Sequence, residues 1–559
     1  MKSEEKTKRY KFHIVMAILI IVYCVGIAPK GLQNDTFYTI KVGEYISQNG
    51  IGNLREDPFS WNELPYTFPH WLYDTIMYGI YSLGGMLGIY ISSIVLTSLL
   101  GLSIYFTSNK ISKNAPISAI VTFIAMYLMQ PYIAARAQLV TFSLMILTIY
   151  LIEKFLENAK KRYAVGLVLF SLIIVNLHMA VWPFFFVLFV PYLVEYFISL
   201  DIINFDLILK IKIFLIKRTT KNEDKLVKLY ADLEDNKKKR AELKKNPYKI
   251  RVPRNDNVKK LFIVILICAC MGVFTPTGLT TPYTYLYKTL TGNTMKVINE
   301  HLPLDLNSNK EFIAFFVIFV IILTFVDVKV DAKHIFYYCG ILYLALGARR
   351  QVSMFLIICT PILAKIIAEV FDKYAPELQN KIIGILTNFY GKVVLATIVI
   401  IISIQNIKPK INEKYYYEHD YPIKAAAWIK ENLDYKNIRL FNEYNYGSYL
   451  IYEEIPVMID SRCDLYTPQY NTKTGRAEDG QDIFMDVQNI ATGTDDYKNT
   501  FERYDITHVI TYSDSNLSKK IKNNKDYKKI YPLTDEEKED DRFVIYEKVE
   551  EAQEWKKNI

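Results

Sequence analysis

The chain has 559 residues, of which 51% are hydrophobic and 22% charged, and its mean hydropathy is +0.10. This composition is too apolar for an ordinary water-soluble protein and too charged for one that lies wholly in a membrane, so apolar and polar residues must be segregated along the chain. The formal net charge of +9 does not indicate nucleic-acid binding, because the basic residues cluster in loops predicted to be cytoplasmic.

The six cysteines show no disulfide or metal-binding pattern. Five lie inside apolar runs, where a free cysteine acts as a small buried hydrophobic residue: Cys24, Cys268, Cys270, Cys339 and Cys359. Only Cys463 lies in a polar part of the chain, so it has no second cysteine there with which to form a disulfide framework.

The N-terminal segment is predicted to form the first transmembrane helix. Residues 12–28 are apolar and follow a mostly charged segment, as they would in a secretory signal peptide. Pro29 follows directly, and a proline at that point should hinder cleavage. The sequence therefore predicts that this helix is retained.

Ten further apolar runs have roughly the 17 to 25 residues that a transmembrane helix needs. They lie at 86–107, 116–131, 138–156, 163–177, 182–200, 259–275, 311–327, 333–348, 351–370 and 392–408. Residues 71–84 are apolar and aromatic but reach Gly84 and Gly85 too soon to span, so they are predicted to lie at the interface. The sequence thus predicts a polytopic α-helical membrane domain over residues 1–408 with about eleven transmembrane helices.

Lysine and arginine predict the orientation, because cytoplasmic loops carry an excess of both. With the N-terminus in the cytoplasm, alternate loops are basic, most of all the loop 201–258. Residues 207–258 hold sixteen Lys or Arg against seven Asp or Glu, which fits a solvated helical hairpin near anionic lipid or a dedicated binding site. An odd number of spans then places residues 409–559 outside the plasma membrane.

Residues 409–559 are predicted to form a soluble, extracytoplasmic α/β domain. A helix is predicted over residues 421–433. Short β-type runs follow at 438–444, 448–454, 456–460, 507–512 and 543–549. This domain would lie on the same side of the membrane as the first outer loop, residues 30–85.

Polar side chains at the span ends gather in the predicted outer loops, where ionisable groups at the hydrocarbon edge are costly and often functional. They are Asp35, Asp57, His70, Arg136, Gln138, His178, Glu300, His301, Arg349 and Arg350. Arginines in outer loops oppose the positive-inside tendency, so Arg136, Arg349 and Arg350 indicate a cavity that holds an anionic ligand. The planar guanidinium fork suits phosphate oxygens.

Short motifs beside the apolar runs occur in a characteristic order. Asp35 follows the first span in NDTFYTIKVGEYI, and the first outer loop continues with DPFS and PHWLYD. Later motifs are RAQLVTF, NLHMAVW, ARRQVSMF, FNEYNYGSYLIY and MIDSRCDLY. In this order they resemble the GT-C superfamily of integral membrane glycosyltransferases, which includes protein mannosyltransferases, the catalytic subunit of oligosaccharyltransferase and aminoarabinose transferases. The resemblance covers nearly the whole chain.

The resemblance implies an inverting transfer of a sugar from a polyprenyl-phosphate-linked donor to an acceptor on the outer face of the membrane. By position, Asp35 would be the general base that deprotonates the acceptor. Arg136, Arg349 and Arg350 would bind the donor phosphate and stabilise the charge that develops on it. The candidates for substrate binding are Asp57, His70, Gln138, His178, Glu300, His301 and Arg462.

The expected partners are membrane lipid, the polyprenyl-phosphate-sugar donor and an acceptor of unknown class, with no nucleic acid. Thr36 follows Asp35 where several members of the superfamily have a second acid or a histidine. A divalent metal is therefore compatible with the sequence but has no support from residue spacing, and no cofactor is firmly implied. The chain also lacks a phosphate-binding G-x-x-x-x-G-K-[ST] loop and a glycine-rich dinucleotide fingerprint.

Structural roles are open for most of these residues. Asp35 fits an N-cap of the helix that begins beside it, and Asp57 before Pro58 is typical of a turn. Packing at the membrane interface would explain His70 and His178. Anchoring of a span end at the lipid headgroups would explain Arg349 and Arg350. A turn after a strand would explain Asp460, Arg462 and Asp464.

Three other functions are compatible with the sequence. A polymerase or ligase for surface polysaccharide would use the same cavity. A flippase or transporter for lipid-linked saccharides lacks support, because the chain shows no paired half-spans with matching Gly or Pro interruptions. A non-catalytic cell-surface assembly factor would use the outer domain to bind a partner.

Overall fold

A computed structural model of the chain describes residues 2–53, 56–199, 205–219, 223–245, 250–307, 309–472, 477–533 and 542–549. The chain is predominantly α-helical over these ranges, and their strands form one two-stranded and one four-stranded sheet. The smaller sheet pairs Ile250–Arg251 with Val330–Asp331 in parallel.

Six of the described helices are long and apolar enough to cross a membrane, judged by length and composition. They are Tyr10–Ile27, Trp71–Ser112, Ala137–Asn158, Met179–Ser199, Gln351–Tyr374 and Phe389–Lys410. Five other predicted spans form shorter helices, Ala115–Leu128, Lys161–Leu177, Val258–Cys270, Lys310–Phe325 and Ala332–Gly347. Every predicted apolar run thus contains a helix, whereas the count of about eleven membrane spans is not confirmed.

The remaining α-helices lie between and after these apolar elements. They are Asn34–Asn49, Phe205–Thr219, Glu223–Lys245, Thr281–Thr291, Thr294–Val297, Pro376–Thr387, Ile423–Asn432, Gly447–Tyr452, Pro468–Asn471, Ile483–Thr492, Tyr497–Arg503 and Asn516–Ile521. Loop 201–258 therefore contains two helices among its described residues, as the helical-hairpin interpretation predicts.

Burial differs strongly among the apolar helices. In Gln351–Tyr374, 72% of the most apolar 18-residue stretch is buried, because this helix packs against Trp71–Ser112 and Ala332–Gly347. In Phe389–Lys410 only 11% is buried, although the helix packs against the N-terminal helix along one side. The first pattern is that of a central helix, and the second is that of a helix with most of its apolar surface available to lipid.

Helix Trp71–Ser112 is interrupted at Gly85, at the predicted break of Gly84 and Gly85. Gly85 has φ +57° and ψ −149°, so two helical segments meet there at a kink. Glycine suits this position because a side chain rarely tolerates such a φ. Ser92 Oγ lies 3.9 Å from Met77 Sδ, whereas fifteen residues of one continuous helix would rise by about 22 Å. The predicted boundary at residue 84 therefore separates two helical segments.

Helix Asn34–Asn49 lies directly on the first turns of helix Trp71–Ser112. A Cβ at Gly43 would come within 2.1 Å of the carbonyl oxygen of Asp74, so only glycine permits this approach of the two backbones. Phe37 is fully buried on the same short helix. Its ring lies 5.0 to 5.4 Å, centroid to centroid, from those of Tyr416, Tyr421, Tyr449 and Tyr452. The helix is thus held on two sides.

The C-terminal part of the chain contains the four-stranded sheet. Its spatial order is Leu440–Phe441, His508–Tyr512, Phe543–Lys548 and Tyr527–Tyr531. The first pair is parallel and the other two pairs are antiparallel. The helix predicted over 421–433 and the strands predicted over 438–444, 507–512 and 543–549 are all found, at least over part of each range.

Two of the predicted strands are wrong, and one strand was missed. Residues 448–454 lie largely in the helix Gly447–Tyr452, and residues 456–460 form no strand, although Val457 makes an isolated bridge to Ser60. The helix buries consecutive apolar side chains on all sides, and such a short run cannot be distinguished from a buried strand by its periodicity. The missed strand is Tyr527–Tyr531.

A buried ionic cluster joins the first outer loop to the C-terminal part. The guanidinium of Arg462 contacts Asp57 at 2.6 and 3.2 Å and Asp460 at 2.8 and 2.6 Å. The Arg462 side chain is 3% exposed and both carboxylates are 0% exposed. Asp57 also accepts the backbone N–H of Ser60 at 3.0 Å. Asp57 and Arg462, predicted as candidates for substrate binding, therefore have their charged groups engaged with each other.

Backbone contacts strengthen the same joint. Ser60 bridges to Val457 in parallel, and the indole N–H of Trp61 donates to the carbonyl of Leu440 at 3.1 Å. The backbone N–H of Leu32 donates to the carbonyl of Tyr415 at 2.7 Å. The first outer loop is consequently built into the core of the C-terminal part.

Replacing Gly43 by alanine should destabilise the protein, because the new methyl group would collide with the backbone at Asp74. Overpacking of this kind costs about 1–3 kcal/mol. Gly79→Ala is the matched control, since a Cβ there meets nothing within 4 Å. Thermal unfolding of the purified protein in lipid nanodiscs should show a lower midpoint for Gly43→Ala alone, and equal midpoints would contradict the close approach.

Removing the charge of Arg462 should be more damaging than removing an exposed arginine. Arg462→Met would leave two buried carboxylates without their cation, and breaking a buried pair in this way costs about 3–5 kcal/mol. Arg503→Met breaks the surface pair with Asp486, for which about 0–1 kcal/mol is expected. The same unfolding measurement compares them, and a similar small shift for both would show that the buried cluster is not a structural joint.

Candidate functional site

A cavity of about 620 Å³ opens between the first outer loop, the span ends and the C-terminal part. Its walls come from the start of helix Asn34–Asn49, the residues around the starts of Trp71–Ser112 and Ala137–Asn158, the segment 297–301 and the segment 461–465. This volume is within the usual range for sites that bind small molecules.

Nine of the eleven residues predicted for the site line this cavity. They are Asp35, His70, Arg136, Gln138, His178, Glu300, His301, Arg350 and Arg462. The other two, Asp57 and Arg349, lie behind its walls. The fold thus brings together side chains from seven separate stretches of sequence.

Asp35, Arg136 and Glu300 form a chain of charges at the cavity. Nε of Arg136 lies 2.9 Å from Oδ2 of Asp35, and its Nη1 donates to Oε1 of Glu300 at 3.2 Å. The Nε–H is not directed at the carboxylate, so the first contact is an ion pair rather than a well-formed hydrogen bond. Burial opposes the charge of Arg136, but the carboxylates of Asp35 and Glu300 outweigh it and raise the pKa of the guanidinium.

Asp35 lies in the first turn of its helix rather than at the N-cap. The N-cap is Gln33, and no side chain caps the helix there. An acid in the first turn still interacts favourably with the helix dipole. The N-cap interpretation of Asp35 is therefore wrong, and its carboxylate is directed to Arg136 at the cavity wall.

Arg350 contacts a neutral histidine. Its Nη1 donates to Nε2 of His301 at 2.8 Å, and its backbone N–H donates to the carbonyl of Glu300 at 3.0 Å. Burial and the nearby Arg350 charge lower the pKa of His301 to about 4. Because a guanidinium has no acceptor, Nε2 of His301 must carry the lone pair. Arg350 can therefore offer its remaining N–H groups to an anion.

His70 and His178 stand side by side at the cavity. Their ring centroids are 4.8 Å apart and the rings are inclined at 72°. Burial lowers the pKa of His70 to about 4 and, together with His70 and Arg350, lowers that of His178. Both rings are thus neutral near pH 7, and Nδ1 of His178 lies 3.3 Å from Oγ1 of Thr141. They can exchange hydrogen bonds with a substrate, but they supply no positive charge.

Arg349 is turned away from the large cavity. Its guanidinium donates to the Asn299 side chain and to the carbonyl of Pro303, and its backbone N–H donates to the carbonyl of Leu302. It lines a neighbouring cavity of about 190 Å³ that shares Arg136, Gln138, Asn299, Glu300 and Arg350 with the large one. Arg349 therefore holds the segment that carries Glu300 and His301.

The large cavity also contains aromatic residues that sequence reasoning missed. They are Tyr38, Tyr66, Tyr73, Tyr285, Tyr444, Tyr470 and Phe484. Asp464, which was interpreted as part of a turn, also lines it and accepts hydrogen bonds from Tyr285 at 2.9 Å and from Thr289 at 3.2 Å. The chain has 43 tyrosines, and their spacing does not distinguish a cavity wall from a core.

The described residues contain no group of three or more His, Cys, Asp or Glu side chains arranged to hold a metal ion. Within the cavity, the acids are engaged with arginine or with hydroxyl groups. The cavity side chains can supply proton transfer, hydrogen bonding and neutralisation of an anion.

No model of a known protein family matches the chain, and no curated protein sequence is similar to it. Among solved structures, the archaeal oligosaccharyltransferase AglB from Archaeoglobus fulgidus, in complex with an inhibitory peptide and a dolichol-phosphate, has a TM-score of 0.52 at 11% identity, covering 90% of this chain and 70% of that one. Its apo form gives 0.51 at 12% identity over 89% and 69%. ArnT from Cupriavidus metallidurans, bound to undecaprenyl phosphate, gives 0.41 at 10% identity over 96% and 97%.

Identities this low establish the fold alone. The match to the archaeal enzyme nevertheless extends over most of the chain, from the apolar helices into the C-terminal part. This chain therefore shares its fold with an archaeal oligosaccharyltransferase, and the catalytic subunit of oligosaccharyltransferase is one of the enzymes that its sequence motifs resemble.

Proposed function

We propose that this protein is a membrane glycosyltransferase that moves a sugar from a polyprenyl-phosphate-linked donor to an acceptor at the outer face of the membrane, with Asp35 as general base. The observation that carries the proposal is a carboxylate and two arginines in one cavity at the ends of apolar helices. A base and an anion-binding group are what the displacement of a phosphate by an acceptor requires.

The fold supports the choice of a lipid-linked donor. The similar archaeal structure is an oligosaccharyltransferase in complex with a dolichol-phosphate. A polyprenyl phosphate has an apolar tail and an anionic head, so its site must offer both lipid access and positive charge. Arg136 and Arg350 supply that charge here, beside helices with exposed apolar surfaces.

In the proposed reaction Asp35 takes a proton from the acceptor nucleophile. The nucleophile attacks the anomeric carbon as the bond from that carbon to the phosphate oxygen breaks, and the electron pair leaves with the phosphate. Arg136 and Arg350 stabilise the negative charge on the departing group. Attack from the face opposite the leaving group gives a single displacement with inversion.

Charge distribution supports an outer location for this chemistry. The cavity lies where helices Trp71–Ser112 and Ala137–Asn158 begin. Lys110 and Lys154, near the opposite ends of the same helices, pair with Glu157. Because lysines accumulate on the cytoplasmic side, the cavity end is expected to face outward.

Asp35→Asn should lower the rate of sugar transfer by about 10²–10⁴, the usual contribution of a positioned base. Glu44→Gln is the matched control, since Glu44 is on the same helix but does not line the large cavity. Purified protein in lipid would be tested with a panel of radiolabelled polyprenyl-phosphate sugars. Full activity of Asp35→Asn would refute the base assignment.

The same assay separates the proposal from its rivals. A glycosyltransferase or polymerase forms a new covalent product, and the length of the labelled product distinguishes single transfer from polymerisation. A flippase changes only the leaflet in which the label is found. If folded wild-type protein transfers no sugar from any donor but moves the labelled donor from one leaflet to the other, the enzymatic proposal fails.

Arg350→Met should slow transfer by about 10²-fold, because an oxyanion-stabilising donor of this kind is worth two to three orders of magnitude. Lys296→Met removes a nearby exposed charge that does not line the cavity and should have little effect. Rates at saturating donor would be compared with those at low donor concentration. Equal effects of both substitutions would indicate that the overall positive charge near the cavity, rather than a specific phosphate site, determines the rate.

A further inference from the structure

The hairpin within loop 201–258 carries an exposed apolar surface as well as its positive charge. Its first helix is Phe205–Thr219 and its second is Glu223–Lys245, and the two pack together. On the first helix, Ile211 is 49% exposed and Phe214 is 62% exposed, with Leu215 similarly exposed beside them. A simply solvated hairpin would present polar side chains at such positions.

The first helix is two-sided. Leu209 and Ile213 are buried on one side of it, whereas Ile211 and Phe214 face outward on another. At 100° per residue, positions 211, 214 and 215 fall within about 100° of one another around the helix. This apolar stripe is separate from the packed side, and Ile211 and Phe214 on it are exposed in the part of the chain that the structure describes.

Lysines border the exposed apolar stripe. Lys210, Lys212 and Lys217 are all exposed, and the ammonium of Lys217 lies 5.5 Å from the ring centroid of Tyr230. An apolar stripe flanked by lysines is the pattern of a helix that lies in the interface of an anionic bilayer. The positive charge of these lysines is thus complementary to anionic lipid headgroups. An apolar stripe that bound a neutral partner would not need flanking lysines.

The hairpin is also held close to where a bilayer surface should be. Only residues 200–204 separate Phe205 from the apolar helix that ends at Ser199. At its other end, the side chains of Asn255 and Asn257 donate to the carbonyl of Leu156 at 3.2 and 3.0 Å. The attachment is therefore at the lysine-rich end of the bundle, away from the large cavity.

We propose that helix Phe205–Thr219 lies on the cytoplasmic membrane surface, with Ile211, Phe214 and Leu215 inserted between lipids and Lys210, Lys212 and Lys217 bound to anionic headgroups. The ligand is an anionic lipid surface, contacted through a site that is independent of sugar transfer. In this proposal the basic loop 201–258 binds the membrane surface instead of being fully solvated.

The test uses the full-length protein in nanodiscs of phosphatidylcholine alone or with 30% phosphatidylglycerol. Phe214→Cys would carry a bimane label, in a background with the accessible Cys270, Cys339 and Cys463 replaced by serine. The matched control is Asp232→Cys, an exposed position on the second helix. Quenching by doxyl-labelled lipid should be several-fold stronger at position 214 than at 232, and stronger with phosphatidylglycerol present.

Charge reversal completes the design. Lys210→Glu, Lys212→Glu and Lys217→Glu together should abolish the increase caused by phosphatidylglycerol. Label at 214 that is quenched by aqueous iodide as strongly as label at 232 would overturn the proposal in favour of a solvated hairpin. Label shielded from both quenchers would overturn it in favour of a covering protein surface, and equal lipid quenching in both discs would refute the role of anionic headgroups.

Hydrogen exchange of the unmodified protein gives an independent measurement. Amides of residues 205–219 should exchange several-fold more slowly in discs that contain phosphatidylglycerol, while those of Ile423–Asn432 on the C-terminal part should not change. Identical exchange of residues 205–219 in both discs would contradict the proposal even if a labelled variant failed to fold.

Discussion

The guanidinium of Arg462, enclosed between the carboxylates of Asp57 and Asp460, is the constraint on which the site depends. It links positions 405 residues apart in the sequence. Charges removed from water are tolerated only when each has its partner, so the first outer loop and the C-terminal part must join as one unit. Ser461, Cys463 and Asp464, on either side of Arg462 in the sequence, line the large cavity, and this wall therefore forms only when that joint does.

The helix that carries Asp35 is positioned by two further constraints. Gly43 lets its backbone touch that of the long helix beneath it, and Phe37 is enclosed by tyrosines from the C-terminal part. Neither contact involves the cavity directly. Together they set the direction of the Asp35 carboxylate through packing, which is more rigid than a loop would allow.

Much of this arrangement could be predicted because apolar runs that are expected to cross one bilayer end at its two surfaces. Residues just beyond the apolar runs, such as Arg136, His178 and Arg350, therefore meet although they are far apart in the sequence. Hydropathy also located a helix in each predicted apolar run, but it could not show which of these helices are long enough to span, as in the helix Ala115–Leu128.

What the sequence could not reveal is the direction in which a charged side chain turns. Asp57 and Arg349 satisfy the same local pattern as Asp35 and Arg350, yet their partners are a distant arginine and a neighbouring loop. The strand prediction for residues 448–454 was wrong for a related reason, because a run that is buried on all sides has no polar face to reveal its period. Long-range pairing decided each of these cases.

Arg136 shows how charge alone can couple the steps of the proposed reaction. It is shared by Asp35, 2.9 Å from Nε, and Glu300, 3.2 Å from Nη1. A donor phosphate that entered the cavity would compete for the same guanidinium, and Arg136 could turn toward it while Glu300 still held its other edge. Asp35 would then lose its cation when the donor arrived and be available to the acceptor. In the proposed reaction, one positive charge shared by three anions would thus link occupation of the donor site to release of the base.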